Sequence, residues 1–82
     1  MEFFDKGKAL FEEGEYVKAR LEIRNALQID PKFAEAYYML GEIELKQKNW
    51  RRAFGALNKA LELNPGLIDA ELALGNLLVA AK

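Results

Sequence analysis

Residues 34–65 read AEAYYMLGEIELKQKNWRRAFGALNKALELNP, two apolar-periodic stretches broken by Lys48-Asn49. The first predicts a helix over 34–47 and the second a helix over 50–63. Asn64-Pro65-Gly66 ends the second, because proline lacks the N–H that would continue the ladder and biases the residue before it away from helix. Setting the chain against itself at an offset of 65 − 31 = 34 positions lays Pro31 on Pro65, Leu27 on Leu61, Ala26 on Ala60, Ala19 on Ala53 and Gly7 on Gly41. The same offset carries Gly41 to Gly75, Leu40 to Leu74 and Ala36 to Ala70. A fixed period of this length is the mark of stacked helix-turn-helix units. Working outward, the rest of the chain predicts helices over 2–12, 16–29 and 67–81, with Glu13-Gly14-Glu15 turning inside the first unit and Asp30-Pro31 closing it. The fold class expected is all-α, an antiparallel helix-turn-helix solenoid of five helices: two full repeats plus a third, unpaired C-terminal helix. It forms a single domain over 1–82, with repeat 1 at about 1–33, repeat 2 at about 34–67 and the last helix at about 68–82.

Composition narrows the chemistry. The chain has 82 residues and no Cys, His, Ser or Thr, the residues that supply most nucleophiles, neutral-pH proton shuttles and transition-metal ligands. Adjacent or i+2 carboxylates such as Glu12 with Glu13, or Glu42 with Glu44, point in different directions on a helix and cannot share a substrate. No Gly-rich phosphate loop is present either. We expect no catalytic residue, no metal site, no cofactor and no enzyme. With 12 basic and 13 acidic residues the net charge is −1, which exerts no whole-chain pull on nucleic acid or an anionic membrane. The opening Met1-Glu2-Phe3-Phe4-Asp5-Lys6 lacks the basic start and apolar run of a signal peptide, and Leu77-Leu78-Val79-Ala80-Ala81 is too short to cross a bilayer. A soluble protein is expected, cytoplasmic, or periplasmic if a longer parent carries an export signal.

Local physics supports the repeat. Gly7 and Gly41 fall on the apolar face of a first helix, where glycine costs about 1 kcal/mol relative to alanine. Close approach of a second helix is the expected compensation, with Ala19 and Ala53 as the matching small surface. Phe3, Tyr16, Tyr37 and Trp50 then fill the space around that contact, and Trp50, one period after Tyr16, is expected to pack inward. Gly14 suits a left-handed turn, so its counterpart Lys48 is expected to be strained there.

These residues resemble the tetratricopeptide repeat (TPR) family, whose signature is a Trp, Leu-Gly and Tyr on one helix, then Ala, an aromatic, Ala and a closing Pro on the next. The middle unit matches with Tyr37, Leu40, Gly41, Ala53, Leu57, Ala60 and Pro65, departing at Glu44 where the family has Tyr. The first matches with Phe3, Gly7, Leu10, Ala19, Ile23, Ala26 and Pro31, departing at Lys6 where Leu is usual. The final helix carries Leu74, Gly75 and Leu78, with Glu71 in the Trp slot. The repeats look like those of bacterial TPR proteins, and the chain reads as a fragment of one.

The resemblance implies a protein-interaction scaffold in which the first helices line a concave groove for a partner peptide or helix. Spacing at i, i+4 and i+7 sets Phe4, Lys8 and Phe11 beside the buried stripe of the first helix. One period on, the slots hold Tyr38, Glu42 and Leu45; two periods on, Leu72, Asn76 and Val79, with Glu35 and Asp69 one turn earlier on the same side. The groove is expected to be apolar and aromatic with acidic accents. That suits an amphipathic helix or extended segment with apolar anchors and some basic residues. Chaperone-binding relatives clamp a C-terminal carboxylate with Lys, Asn and Arg at places that would fall here on Phe4, Lys8, Met39, Asp69 and Ala73. Only Lys8 is a cation, so this type is not expected.

Two alternatives remain open at this point. The last helix is too apolar for the polar cap that usually ends an array; either further repeats cover it or a second copy pairs with it through Leu72, Leu78 and Val79 as a homodimer. Lys46-Gln47-Lys48-Asn49-Trp50-Arg51-Arg52 gathers cations around an aromatic, as a nucleic-acid site would, though a solvated turn explains it as well.

Overall fold

The computed structural model describes residues 2–80, in which five α-helices follow one another with no strand among the described residues. They are α1 (Glu2–Glu12), α2 (Tyr16–Ile29), α3 (Ala34–Lys46), α4 (Trp50–Leu63) and α5 (Ile68–Ala80). Their limits agree with the sequence reading to within one residue wherever they can be compared. Ala81, expected in the last helix, lies outside the described residues, as do Met1 and Lys82 at the expected domain limits.

The turns follow from the residues that form them. Helices α1 and α3 end in the same doubly closed motif. The Glu15 N–H donates to the Leu10 carbonyl at 2.9 Å and the Gly14 N–H to that of Phe11 at 3.0 Å; after α3 the Asn49 N–H reaches Glu44 at 2.9 Å and the Lys48 N–H reaches Leu45 at 3.1 Å. Such a closure holds its middle residue in the left-handed region. Gly14 has φ 82° and Lys48 has φ 61°, so the lysine occupies a backbone conformation in which its β-carbon is crowded. Helices α2 and α4 stop differently. Asp30 and Asn64, each preceding a proline, are extended at φ −130° and −142°. Their side-chain oxygens accept from the N–H groups of Lys32 and Gly66, both at 3.1 Å.

Small residues set the helix spacing. A β-carbon on Gly7 would stand 2.5 Å from Ile23 Cδ1, and one on Gly41 would stand 2.7 Å from Leu57 Cδ2. Ile23 and Leu57 are fully buried, so neither can swing aside in a packed interior. The expected partners, Ala19 and Ala53, come second, with carbonyl oxygens 3.3 and 3.6 Å from the same points. Helical side chains lean toward the N-terminus, which brings the branched residue one turn further on into first contact. Gly75, the third glycine of the series, has no heavy atom within 4 Å of where its β-carbon would sit.

The core runs along the array as two clusters. One holds Ala19, Ile23, Ala36, Met39 and Ile43; the next holds Ala53, Leu57, Ala60, Ala70, Ala73 and Leu77. Helix α1 packs on α2 and α3, α2 on α3, α3 on α4 and α5, and α4 on α5, while the backbones of α2 and α4 stand apart. A polar joint ties α2 to α3. Arg20 Nη2 donates to Glu44 Oε1 at 3.0 Å and also to Gln47 Oε1, and Asn49 Nδ2 donates to the same Glu44 oxygen at 3.0 Å. Glu44 is only 4% exposed. In the slot where the family has Tyr, a buried carboxylate is therefore held by two polar side chains, Arg20 from α2 and Asn49 from the turn after α3, while Gln47 accepts from the same arginine.

These positions sort by space and backbone conformation in one set of thermal melts. Gly41→Ala gains about 1 kcal/mol of helix propensity but overpacks a full interior, which costs about 1–3 kcal/mol, so its melting temperature should fall. Gly75→Ala meets nothing and should rise by up to about 1 kcal/mol. Lys48→Gly relieves the left-handed lysine and should also rise by up to about 1 kcal/mol. A stabilised Gly41→Ala would show that the helices of the second pair are free to separate.

Candidate functional site

Because α1 packs on α3 and α3 on α5 while α2 and α4 stand apart, the first helices of the units lie side by side and present one continuous surface. The slots named from the repeat period fall along it with different fates. Phe4 and Phe11 are half-buried because other rings hold them: Phe4 lies 4.8 Å from Phe33 and Phe11 lies 5.6 Å from Tyr16, centroid to centroid, both pairs tilted. Lys8 and Glu35 are exposed, as are Asp69 and Asn76. Tyr38 and Leu45 are half-buried and pack against the cluster shared by α4 and α5. Leu72 is 61% exposed and Val79 is 72% exposed, so among the described residues nothing covers that end of the surface.

Three of these slots come together electrostatically. The Tyr38 phenol and the Glu42 carboxyl on α3 are neighbours at i, i+4, and Asp69 at the start of α5 acts on both. Partial burial pushes the Glu42 carboxyl above its ordinary range. Lys46 and a hydrogen-bonding contact from the Tyr38 phenol pull it back, and Asp69 pushes it further up. Burial also raises the Tyr38 phenol, with the negative charges of Glu42 and Asp69 adding to the effect. The centre of the surface is thus a phenol and two carboxylates whose combined negative charge is incompletely offset.

The basic stretch does not form one site. Gln47 and Asn49 turn inward to the Arg20–Glu44 joint, Lys46 bears on Glu42 at the α1–α3–α5 surface, and Arg52 lines a cleft between α2 and α4. Trp50 is 44% exposed, which corrects the expectation that it packs inward. Its counterpart Tyr16 has the Phe11 ring to lean on; one period later the Phe11 slot holds Leu45, too small to cover an indole. The reading from sequence named Arg52 in the basic stretch but missed its companions in that cleft, Arg20, Arg24 and Lys59. Arg20 with Arg24 on α2, and Arg52 with Lys59 on α4, share helix faces at i+4 and i+7, a spacing that could have marked them, but only Arg52 has a cation, Lys18, one period away. Among the described residues no group of acidic side chains is arranged to hold a metal ion.

The raised Glu42 carboxyl carries a stability consequence with a definite sign. A folded state that binds a proton more tightly than the unfolded chain loses stability as pH rises from the ordinary carboxylate range through the raised folded value. Glu42→Gln removes that loss. The variant should melt higher than the parent at neutral pH, and the difference should shrink to nothing as pH falls below the ordinary carboxylate range. An equal or lower melting temperature at neutral pH would mean that Lys46 and Tyr38 outweigh burial.

Comparison with known proteins adds the lineage. The tetratricopeptide repeat profile matches residues 4–68. The chain is 34% identical over 68 residues to human sperm-associated antigen 1, an alignment covering 83% of this chain and 7% of that protein, so the chain spans only a small part of that relative's length. No helix among the described residues is long and apolar enough to cross a membrane. Repeats of this family form a non-catalytic scaffold for protein–protein interaction. With helix pairs spaced by buried glycines along most of its length and a profile match over the same residues, the chain belongs to the tetratricopeptide repeat family.

Proposed function

We propose that the surface of α1, α3 and α5 holds a segment of a partner protein that brings apolar anchors and at least one Lys or Arg. The division into repeat 1 at about 1–33, repeat 2 at about 34–67 and a last helix from about 68 goes with this reading. The observation that carries it is the placement of Glu42 and Asp69 around the half-buried Tyr38, with Leu45 nearby on the same helix. A cation from the partner would offset the charge that burial and mutual repulsion make unfavourable, and its hydrocarbon stem would lie on the Tyr38 ring. Phe4, Phe11 and Lys8 on α1 extend the surface on one side and Leu72, Asn76 and Val79 on α5 on the other, with Glu35 at the start of α3 between them. Clamping of a terminal carboxylate is not supported, since Asp69 stands where a cation would be needed. Nucleic acid is not favoured, because the cations of residues 46–52 face different sides.

Selection of a displayed peptide library on the protein should return sequences that pair apolar with basic residues. Tyr38→Ala with Leu45→Ala should abolish their binding, and Glu42→Gln with Asp69→Asn should weaken it by roughly tenfold. A peptide ending in Glu-Glu-Val-Asp should show no binding that depends on its free C-terminus. Selected peptides indifferent to both pairs of substitutions would move the site elsewhere.

A second reading rests on a separate observation. Ile68, Leu72, Leu78 and Val79 are each more than half exposed on α5, an apolar face of the kind that two copies can share. Sedimentation equilibrium should show mass rising with concentration for the parent and not for Leu78→Gln with Val79→Gln. A clean monomer at high concentration would remove self-association.

A further inference from the structure

We infer that the cleft between α2 and α4 is a second binding site, on the side of α3 away from Tyr38 and Glu42, and that its occupant is an acidic segment of a partner protein. The backbones of α2 and α4 stand apart, with no α-carbons within 8 Å, and the gap left between them is an open cleft of about 520 Å³ floored by Tyr37 and Leu40 of α3. Four cations line it: Arg20 and Arg24 from α2, Arg52 and Lys59 from α4. Glu44, the carboxylate that also lines it, is already taken up by Arg20 and Asn49. Among the described residues neither Arg24 nor Arg52 forms an ion pair, and Lys59 has only an open contact of 3.5 Å with Glu62. Arg20 in addition keeps its Nε buried without a partner. The cleft therefore holds positive charge and hydrogen-bond donors that the chain itself leaves unmatched.

Gly55 keeps one wall of the cleft open. It sits inside α4 in the wall of the cleft, where glycine weakens a helix. No heavy atom lies within 4 Å of the place its β-carbon would take, and its φ is not positive. Neither close packing nor backbone conformation explains it, as they explain Gly41 and Gly14. What it does is leave bare backbone facing the space between the cations.

The chemistry of the lining selects the occupant. Arginines at the two walls suit bidentate carboxylates, and the half-buried Tyr37 and Leu40 between them accept an apolar side chain. A nucleic acid needs a longer basic track. Here the net charge is −1 and Glu62 interrupts the cations beside Lys59. A peptide segment in which acidic and apolar residues alternate meets both requirements.

The test is fluorescence anisotropy on the intact chain with a short labelled peptide of alternating Glu and Leu, its Gln-Leu counterpart, and an oligodeoxythymidylate of equal charge. We expect saturable binding of the Glu-Leu peptide and none of the Gln-Leu one. Arg24→Gln with Arg52→Gln should weaken binding by roughly tenfold or more. Gly55→Leu keeps every cation, fills the cleft and should do the same. Tyr38→Ala with Leu45→Ala should leave this binding intact, which separates it from the α1–α3–α5 surface. Peptide binding that survives Gly55→Leu would reduce the effect to diffuse charge and overturn the proposal, as would tighter binding of the oligonucleotide. Circular dichroism of each variant checks the fold, and the arginine pair, being exposed, supplies the result should Gly55→Leu unfold.

Discussion

The structure depends on how closely the two helices of a unit approach each other. At Gly7 and Gly41 the missing β-carbon is what lets Ile23 and Leu57 lie flat against the opposing backbone. Once that distance is fixed, larger side chains cannot enter between the paired helices and are displaced to their flanks. Alanines fill the remaining interior at Ala19, Ala26, Ala53 and Ala60. The result is a core that runs as a strip through successive pairs, with flanks free to differ from unit to unit. Variation on those flanks changes what the array can hold without disturbing how it stands.

A second constraint governs how one unit meets the next. Arg20 reaches from α2 to a carboxylate on α3, and Gln47 and Asn49 complete the arrangement from the turn beyond. A buried ion pair contributes little net stability after desolvation, yet removing one partner leaves a stranded charge. Its effect is to favour one relative placement of the two units. That placement gives α3 two unlike faces. One carries Tyr38, Glu42 and Leu45 beside α1 and α5; the other carries Tyr37, Leu40 and Glu44 beneath the gap between α2 and α4.

Much of the fold could be read from the chain because its boundaries are marked locally. Pro31 and Pro65 stop helices by lacking an N–H, and Gly14 ends one by accepting a left-handed backbone; the internal period transferred that last assignment to Lys48, where the same conformation occurs. What the period could not supply are contacts peculiar to one unit. Arg20 and Glu44 lie 24 residues apart, a separation the repeat does not share. Trp50 was expected inward by analogy with Tyr16, but burial of a ring depends on its neighbour, and Leu45 is not Phe11. In the same way the period picked out Phe4 and Phe11 on the first helix without revealing that Phe33 and Tyr16 pack against them.

The gap between α2 and α4 bears on mechanics as well as recognition. No α-carbon of α2 comes within 8 Å of one in α4, so the backbones of those two helices are positioned relative to each other through α3, on which both pack. A body wedged between α2 and α4 would therefore press on the joint between the two units from behind α3.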